Sequence, residues 1–61
     1  MIGKKYKHHR TQDIYMVVEI IPLKLGDTWT QAVLYEGVDL RVWARPIENF
    51  KEKFAEVKNN N

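Results

Sequence analysis

Leu40-Arg41-Val42-Trp43-Ala44-Arg45-Pro46-Ile47-Glu48-Asn49-Phe50 changes its hydrophobic period halfway along. Before Pro46 the residues alternate as in a strand. Leu40, Val42 and Ala44 fall on one face, and Arg41, Trp43 and Arg45 on the other. After Pro46 the apolar residues come at Ile47, Phe50, Phe54 and Val57, which is helical spacing. Proline suits the first turn of a helix, where its missing N–H costs no hydrogen bond. The stretch therefore predicts a strand over 40–45 feeding a helix over 47–57.

Outward from this junction the rest of the chain reads as strands. Ile14 to Ile21 is rich in β-branched residues, with Ile14, Met16, Val18 and Ile20 as its inward face. Tyr15, Val17, Glu19 and Ile21 make a second, partly covered face. Pro22 is expected to end this strand or mark an edge. Lys24 to Asp27 is a loop whose Gly26-Asp27 supplies turn chemistry. A further strand runs from Thr28 to Tyr35, and Glu36-Gly37-Val38-Asp39 is a hairpin connection to the next. Near the start, Tyr6 and His8 alternate with lysines, as in a short edge strand protected by charge, and Thr11-Gln12-Asp13 is a turn.

With 61 residues the chain is one domain, 1–61, whose ends (1–3 and 58–61) are expected to fray. A chain this short buries roughly 60% of the surface its unfolded form exposes. Its binding site should therefore be a shallow groove or an edge. The expected fold is mainly β: a small SH3-like barrel of four to five antiparallel strands with a C-terminal helix. An open antiparallel sheet with the helix across one face is the alternative.

Cysteine and serine are both absent, which removes disulfides, thiolate metal sites and the commonest activated nucleophiles. The carboxylates fall in turns or on solvated faces, so no general acid/base pair stands out, and the reading is of a non-enzyme without cofactor. His8 and His9 are adjacent, hence on opposite strand faces and poor partners for one metal. His8 reads as a structural histidine whose ring donates to a nearby carbonyl or carboxylate. No apolar run approaches the ~20 residues that span a bilayer, and the basic start lacks the apolar core of a signal peptide; cytoplasm is the default location.

Arg41, Trp43 and Arg45 share a strand face, and Tyr15, Tyr35 and Trp29 are candidates to extend it. Tryptophan offers a stacking platform and guanidiniums grip carboxylate or phosphate. The competing reading packs Trp43 in the core against Phe50 or Phe54 and pairs Arg45 with Glu48 or Glu19. The basic start, with Lys4, Lys5, Lys7 and Arg10, has the composition of a nucleic-acid arm. Glu48, Glu52 and Glu56 oppose that by making one helix side acidic. The formal net charge is only +2.

Four pieces of the chain also resemble one known pattern: Tyr6-Lys7-His8, Tyr15-Met16-Val17, Val33-Leu34-Tyr35 and Trp43-Ala44-Arg45-Pro46-Ile47-Glu48-Asn49-Phe50. In this order they resemble a family of small bacterial and phage proteins described only as a domain of unknown function with an SH3-like barrel. The resemblance spans Tyr6 to about Phe54. The loop around Lys24 is shorter than in many members and lacks their polar residues. The resemblance implies the barrel and a phage or bacterial source, and carries over no catalytic residue.

Three functions follow as expectations. The first is a module that binds a host or phage protein through Tyr15, Tyr35, Trp43 and Arg45, as a monomer or weak homodimer, and inhibits or redirects host machinery. The second is a nucleic-acid accessory protein using the basic strand. The third is a dimeric binder of a small anionic, nucleotide-like ligand at Arg41 and Arg45.

Overall fold

The structure, a computed structural model, describes residues 1–58. The chain is mainly β, as expected. Five antiparallel strands form one sheet: β1 (Lys5–His8), β2 (Ile14–Leu25), β3 (Thr28–Glu36), β4 (Val42–Pro46) and β5 (Phe54–Glu56). One short helix, α1 (Ile47–Lys53), lies between β4 and β5. The sheet order is β4-β3-β2-β1-β5. α1 touches β3, β4 and β5, and so bridges the two edge strands of the sheet.

The helix is shorter than its sequence period predicts, and it is not the last element. It stops at Lys53. Phe54 takes an extended conformation (φ −127°, ψ 149°) while its N–H still donates to the carbonyl of Phe50. Glu48 in the first turn and Lys51 and Lys53 in the last complement the helix dipole. A helix this short has little intrinsic stability. Pairing of β5 with β1, at Tyr6↔Glu56, Lys7↔Ala55 and His8↔Phe54, outweighs another helical turn. Glu56 therefore belongs to a strand rather than to an acidic helix side. β1, expected at an edge, is an inner strand between β2 and β5.

Up to the middle of β2 the inward face is the opposite of the expected one. Val17 is fully buried and Tyr15 half-buried, whereas Ile14, Met16 and Val18 are exposed. The cause is a β-bulge: Val17 pairs with Tyr35 and Glu19 with Leu34, leaving Val18 as the extra residue. Parity flips there, so that Ile20 returns to the inner side, half-buried opposite Val33. Simple alternation cannot show an inserted residue.

β2 runs on through Pro22 to Leu25, because β1 pairs only with Ile14 to Met16 and leaves this part of β2 at an edge that tolerates proline. Leu25↔Thr28 closes a two-residue hairpin in which Gly26 supplies the positive φ (59°). The second hairpin loop is longer than expected, since β3 continues to Glu36, Leu40 and Arg41 belong to the loop, and β4 begins only at Val42. The Leu40 N–H bonds the Gly37 carbonyl at 3.1 Å, and Leu40 itself has φ 65°. The chain start is tied down rather than frayed: Gly3 N–H donates to the Val17 carbonyl at 2.8 Å, and Met1 packs on the core. Asn59 to Asn61, part of the expected frayed tail, lie outside the described residues.

The core is one cluster of Tyr6, Val17, Val33, Tyr35, Phe50 and Phe54. Phe50 is the one buried residue of α1. It meets Tyr6 edge-on, tilts against Tyr35, and stacks on Phe54 with centroids 4.3 Å apart and planes 8° from parallel.

Phe50→Ala is expected to cost about 3–5 kcal/mol. That is comparable with the whole stability of so short a domain, so a flat thermal melt by circular dichroism is expected. Leu40→Gly is expected to raise stability by about 0.5–1 kcal/mol, because it relieves a left-handed backbone at an exposed site. Urea denaturation checks it.

Candidate functional site

Residues directly opposite on neighbouring strands share a face. Trp43 lies opposite Tyr35, which lies opposite Val17. Arg45 lies opposite Val33, which lies opposite Ile20. Tyr6 lies opposite Tyr15, and His8 opposite Phe54. The core face of the sheet thus continues outward into Trp43, Arg45, Tyr15 and His8. This settles the position of Trp43: it is 48% exposed and forms the margin of the core rather than its centre.

Two clefts meet at Tyr15 and Trp43. One, of 480 Å³, is bounded by Gln12 and Asp13 of the first loop and by Gly37, Val38 and Asp39 of the second hairpin loop. The other, of 230 Å³, has Tyr35 and Phe54 among its walls, with His8, Thr11 and Arg45 around them. His8 and Arg45 lead on into a third cleft, of 500 Å³, with Arg10, Glu52 and Lys53 on its rim. The three make a continuous shallow groove. Its middle is aromatic, one end carries Asp13 and Asp39, and the other carries Arg10, Arg45 and Lys53.

Each wall has an identifiable support. Tyr15 stands edge-on to Tyr35 (5.2 Å) and to Phe54 (5.6 Å). Gly37 leaves room for it: a Cβ at that position would lie 3.1 Å from Tyr15 Cε2. Arg45 Nε donates to Tyr35 Oη and Arg45 Nη1 to Asn49 Oδ1, both at 2.8 Å. Its guanidinium carbon lies 5.5 Å from the centroid of Phe54. Arg45 pairs with neither Glu48 nor Glu19; among the described residues no carboxylate lies within salt-bridge distance of it. Asn49 was not singled out from the sequence, although it stands four residues after Arg45 across the junction.

His8 is structural, but with the opposite hydrogen-bond sense to the expected one. Its Nδ1 accepts from the N–H of Arg10 (3.1 Å) and of Thr11 (3.3 Å), holding the first loop in place. Its ring packs edge-on against Phe54 at 4.8 Å. Arg41 stays outside the groove, its Nε 3.5 Å from Asp39 Oδ2. Trp29 does not extend the patch. It is 65% exposed on the β2–β3 hairpin, beyond the reach of β4, with Lys24 Nζ 5.9 Å from its ring centroid.

The basic residues are divided. Lys5 and Lys7 alternate with the inward Tyr6 and so lie on the outer sheet face, while Arg10 stands beside the groove. Lys4 lies with Lys5 and Lys58 in a separate depression. Among the described residues no group of three or more His, Cys, Asp or Glu side chains is placed to hold a metal ion, and no helix is long and apolar enough to cross a membrane. No family model, no characterised protein and no solved structure matches this chain.

Burial raises the phenol of Tyr15 above its ordinary value of 10.0, helped by Asp13, Tyr35 and Asp39 and opposed by Arg45. Burial, then Glu56, raises Tyr6 in the same direction. A phenol raised in the fold contributes stability that is fully present below the unfolded value. Above that value the unfolded chain ionises first, and the contribution is lost as pH rises through the folded value. Stability is therefore expected to fall above about pH 10, and to fall less in Tyr15→Phe. Ultraviolet titration of tyrosinate alongside urea melts measures both.

Proposed function

We propose that the protein is a small non-enzymatic interaction module, which holds an extended segment of a partner protein in the groove between Tyr15 and Trp43. The observation that carries this reading is Trp43 itself. A large aromatic ring stands 48% exposed beside a second, half-buried aromatic, over a floor of buried Tyr35 and Phe54. Exposed aromatics that border a supported groove are the usual anchors of protein recognition. The groove is shallow and open, which suits a peptide strand better than an enclosed metabolite.

The resemblance to small phage and bacterial domains favours a partner in the bacterial cell, with inhibition or redirection of host machinery as the outcome. Its Tyr-basic-His, Tyr-x-Val and Trp-x-Arg-Pro pieces supply Tyr6 and His8, Tyr15 and Val17, and Trp43 and Arg45, all on one sheet face. Nucleic-acid binding has less support, because the cations divide between the outer face and the groove end and make no continuous track for a phosphate backbone.

A pull-down from nuclease-treated bacterial lysate, run beside Trp43→Ala, tests the proposal. Wild type is expected to retain a protein that Trp43→Ala loses, while the variant still shows a cooperative thermal transition and remains folded at the temperature of the assay. Recovery that disappears with nuclease would transfer the function to nucleic acid. Gly37→Ala, which crowds Tyr15 without removing a contact residue, is expected to weaken retention in the same assay.

A further inference from the structure

We infer that Arg45 is a preformed receptor for a carboxylate, seated where the aromatic part of the groove meets its basic end; this deepens the peptide-binding reading and rests on it. A guanidinium carries five N–H donors in a planar fork. Two of them are engaged, by Tyr35 Oη and Asn49 Oδ1, and both partners are neutral. These bonds fix the plane of the fork without neutralising its charge. Phe54 lies 5.5 Å beneath it and bears none.

The setting is unusual for an arginine. The residue is half-buried, and among the described residues no Asp or Glu stands within 4.0 Å of it. A partly desolvated cation ordinarily has an acid beside it, because burying an unpaired charge costs free energy. Here the neighbouring charges add to the imbalance. Arg10 and Lys53 line the same cleft, and its one carboxylate, Glu52, lies 3.9 Å from Lys53 Nζ. The site therefore keeps three unused guanidinium donors and, among the described residues, no counter-ion of its own.

Geometry selects among anions. A single planar fork matches the two oxygens of a carboxylate, and arginine is suited to that bidentate contact. A doubly charged phosphate is better served by several converging cations, and here one of the neighbouring cations is already close to Glu52. The opposite end of the groove carries Asp13 and Asp39. A bound segment would lie with its carboxylate toward Arg45 and away from these acids. At Tyr15, whose phenol burial raises first of all, Asp13 and Asp39 add to the rise and Arg45 opposes it, as the two ends of this arrangement would. The carboxylate has two sources, an acidic side chain or a chain terminus, and both present the same pair of oxygens.

The test is a titration of ¹⁵N-labelled protein, following Arg45 Nε–H and the Trp43 indole N–H. The probes, at equal concentrations, are acetyl-Ala-Pro-Glu-Pro-Ala-amide, acetyl-Ala-Pro-Gln-Pro-Ala with a free C-terminus, the neutral acetyl-Ala-Pro-Gln-Pro-Ala-amide, and acetate. At least one carboxylate peptide is expected to move both signals at about tenfold lower concentration than the neutral peptide. Which of the two does so identifies the source. Equal response to all three peptides would overturn the carboxylate receptor and leave the peptide groove standing. If acetate moves Arg45 as well as any peptide does and the indole stays still, the receptor stands and the peptide groove falls. Silence of Arg45 toward every probe overturns the inference.

Arg45→Lys keeps the charge but loses the fork, and is expected to abolish the tenfold preference. Should that variant unfold, Asn49→Ala removes one bond that positions the guanidinium, and is expected to reduce the preference several-fold with the fold intact. An unchanged preference in folded Asn49→Ala would show that positioning by Asn49 is not part of the receptor.

Discussion

The stack of Phe50 on Phe54 is the contact on which the rest of the structure depends. Four residues apart, the two rings would also meet on a continuous helix. Here the backbone changes from helix to strand between them, and the rings still lie 4.3 Å apart and nearly parallel. Phe50 carries the buried face of α1. Phe54 begins β5 and closes the sheet onto β1. Tyr35 packs on both rings, Tyr6 on Phe50, and Tyr15 and His8 on Phe54. Among the described residues, four of the seven buried hydrophobic ones are aromatic. A thin core gains most from large rings, and each well-oriented pair adds about 0.5–1.5 kcal/mol beyond its buried area.

The groove is the outer margin of this same aromatic cluster, which explains how so small a domain can hold a shaped site. Tyr35 serves both: its ring is core, and its hydroxyl receives Arg45. Phe54 likewise supports β5 on one side and the Arg45 guanidinium on the other. The bulge at Val18 matters for the same reason. It lets Tyr15 and Val17 face inward near β1, and returns Ile20 to that face opposite Val33. Without the extra residue, one of these two segments would present the wrong face to the core.

The strand-to-helix change at Pro46, the hairpins and the mainly β fold were legible in the sequence, because each rests on local periodicity or turn chemistry. Trp43 and Arg45 were legible as sharing a face, since alternation fixes that. Whether the face was inside or outside was not legible, because β2 has apolar residues on both sides and conceals a bulge. The end of α1 was missed because Phe50 and Phe54 satisfy helical spacing, and the strand that Phe54 joins is contributed by residues 5–8, far away in sequence. The competing reading of Arg45 paired it with an acid. The partners it found, Tyr35 and Asn49, are neutral, and a search for charge complements overlooks them. The acidic end of the groove also escaped notice, because Asp13 and Asp39 come from two loops that only the folded sheet brings to one cleft.

A preformed site requires that Arg45 be held in place before any ligand arrives. ¹⁵N relaxation of the Arg45 Nε–H in the free protein tests this most directly, read beside the other arginine side chains as internal controls. An order parameter of about 0.85, close to that of rigid backbone, is expected for Arg45 alone. Arg10, which is exposed, is expected to be flexible. A value for Arg45 below about 0.6, in the flexible range, would show that the bonds to Tyr35 and Asn49 do not persist in solution, and would contradict a preformed site.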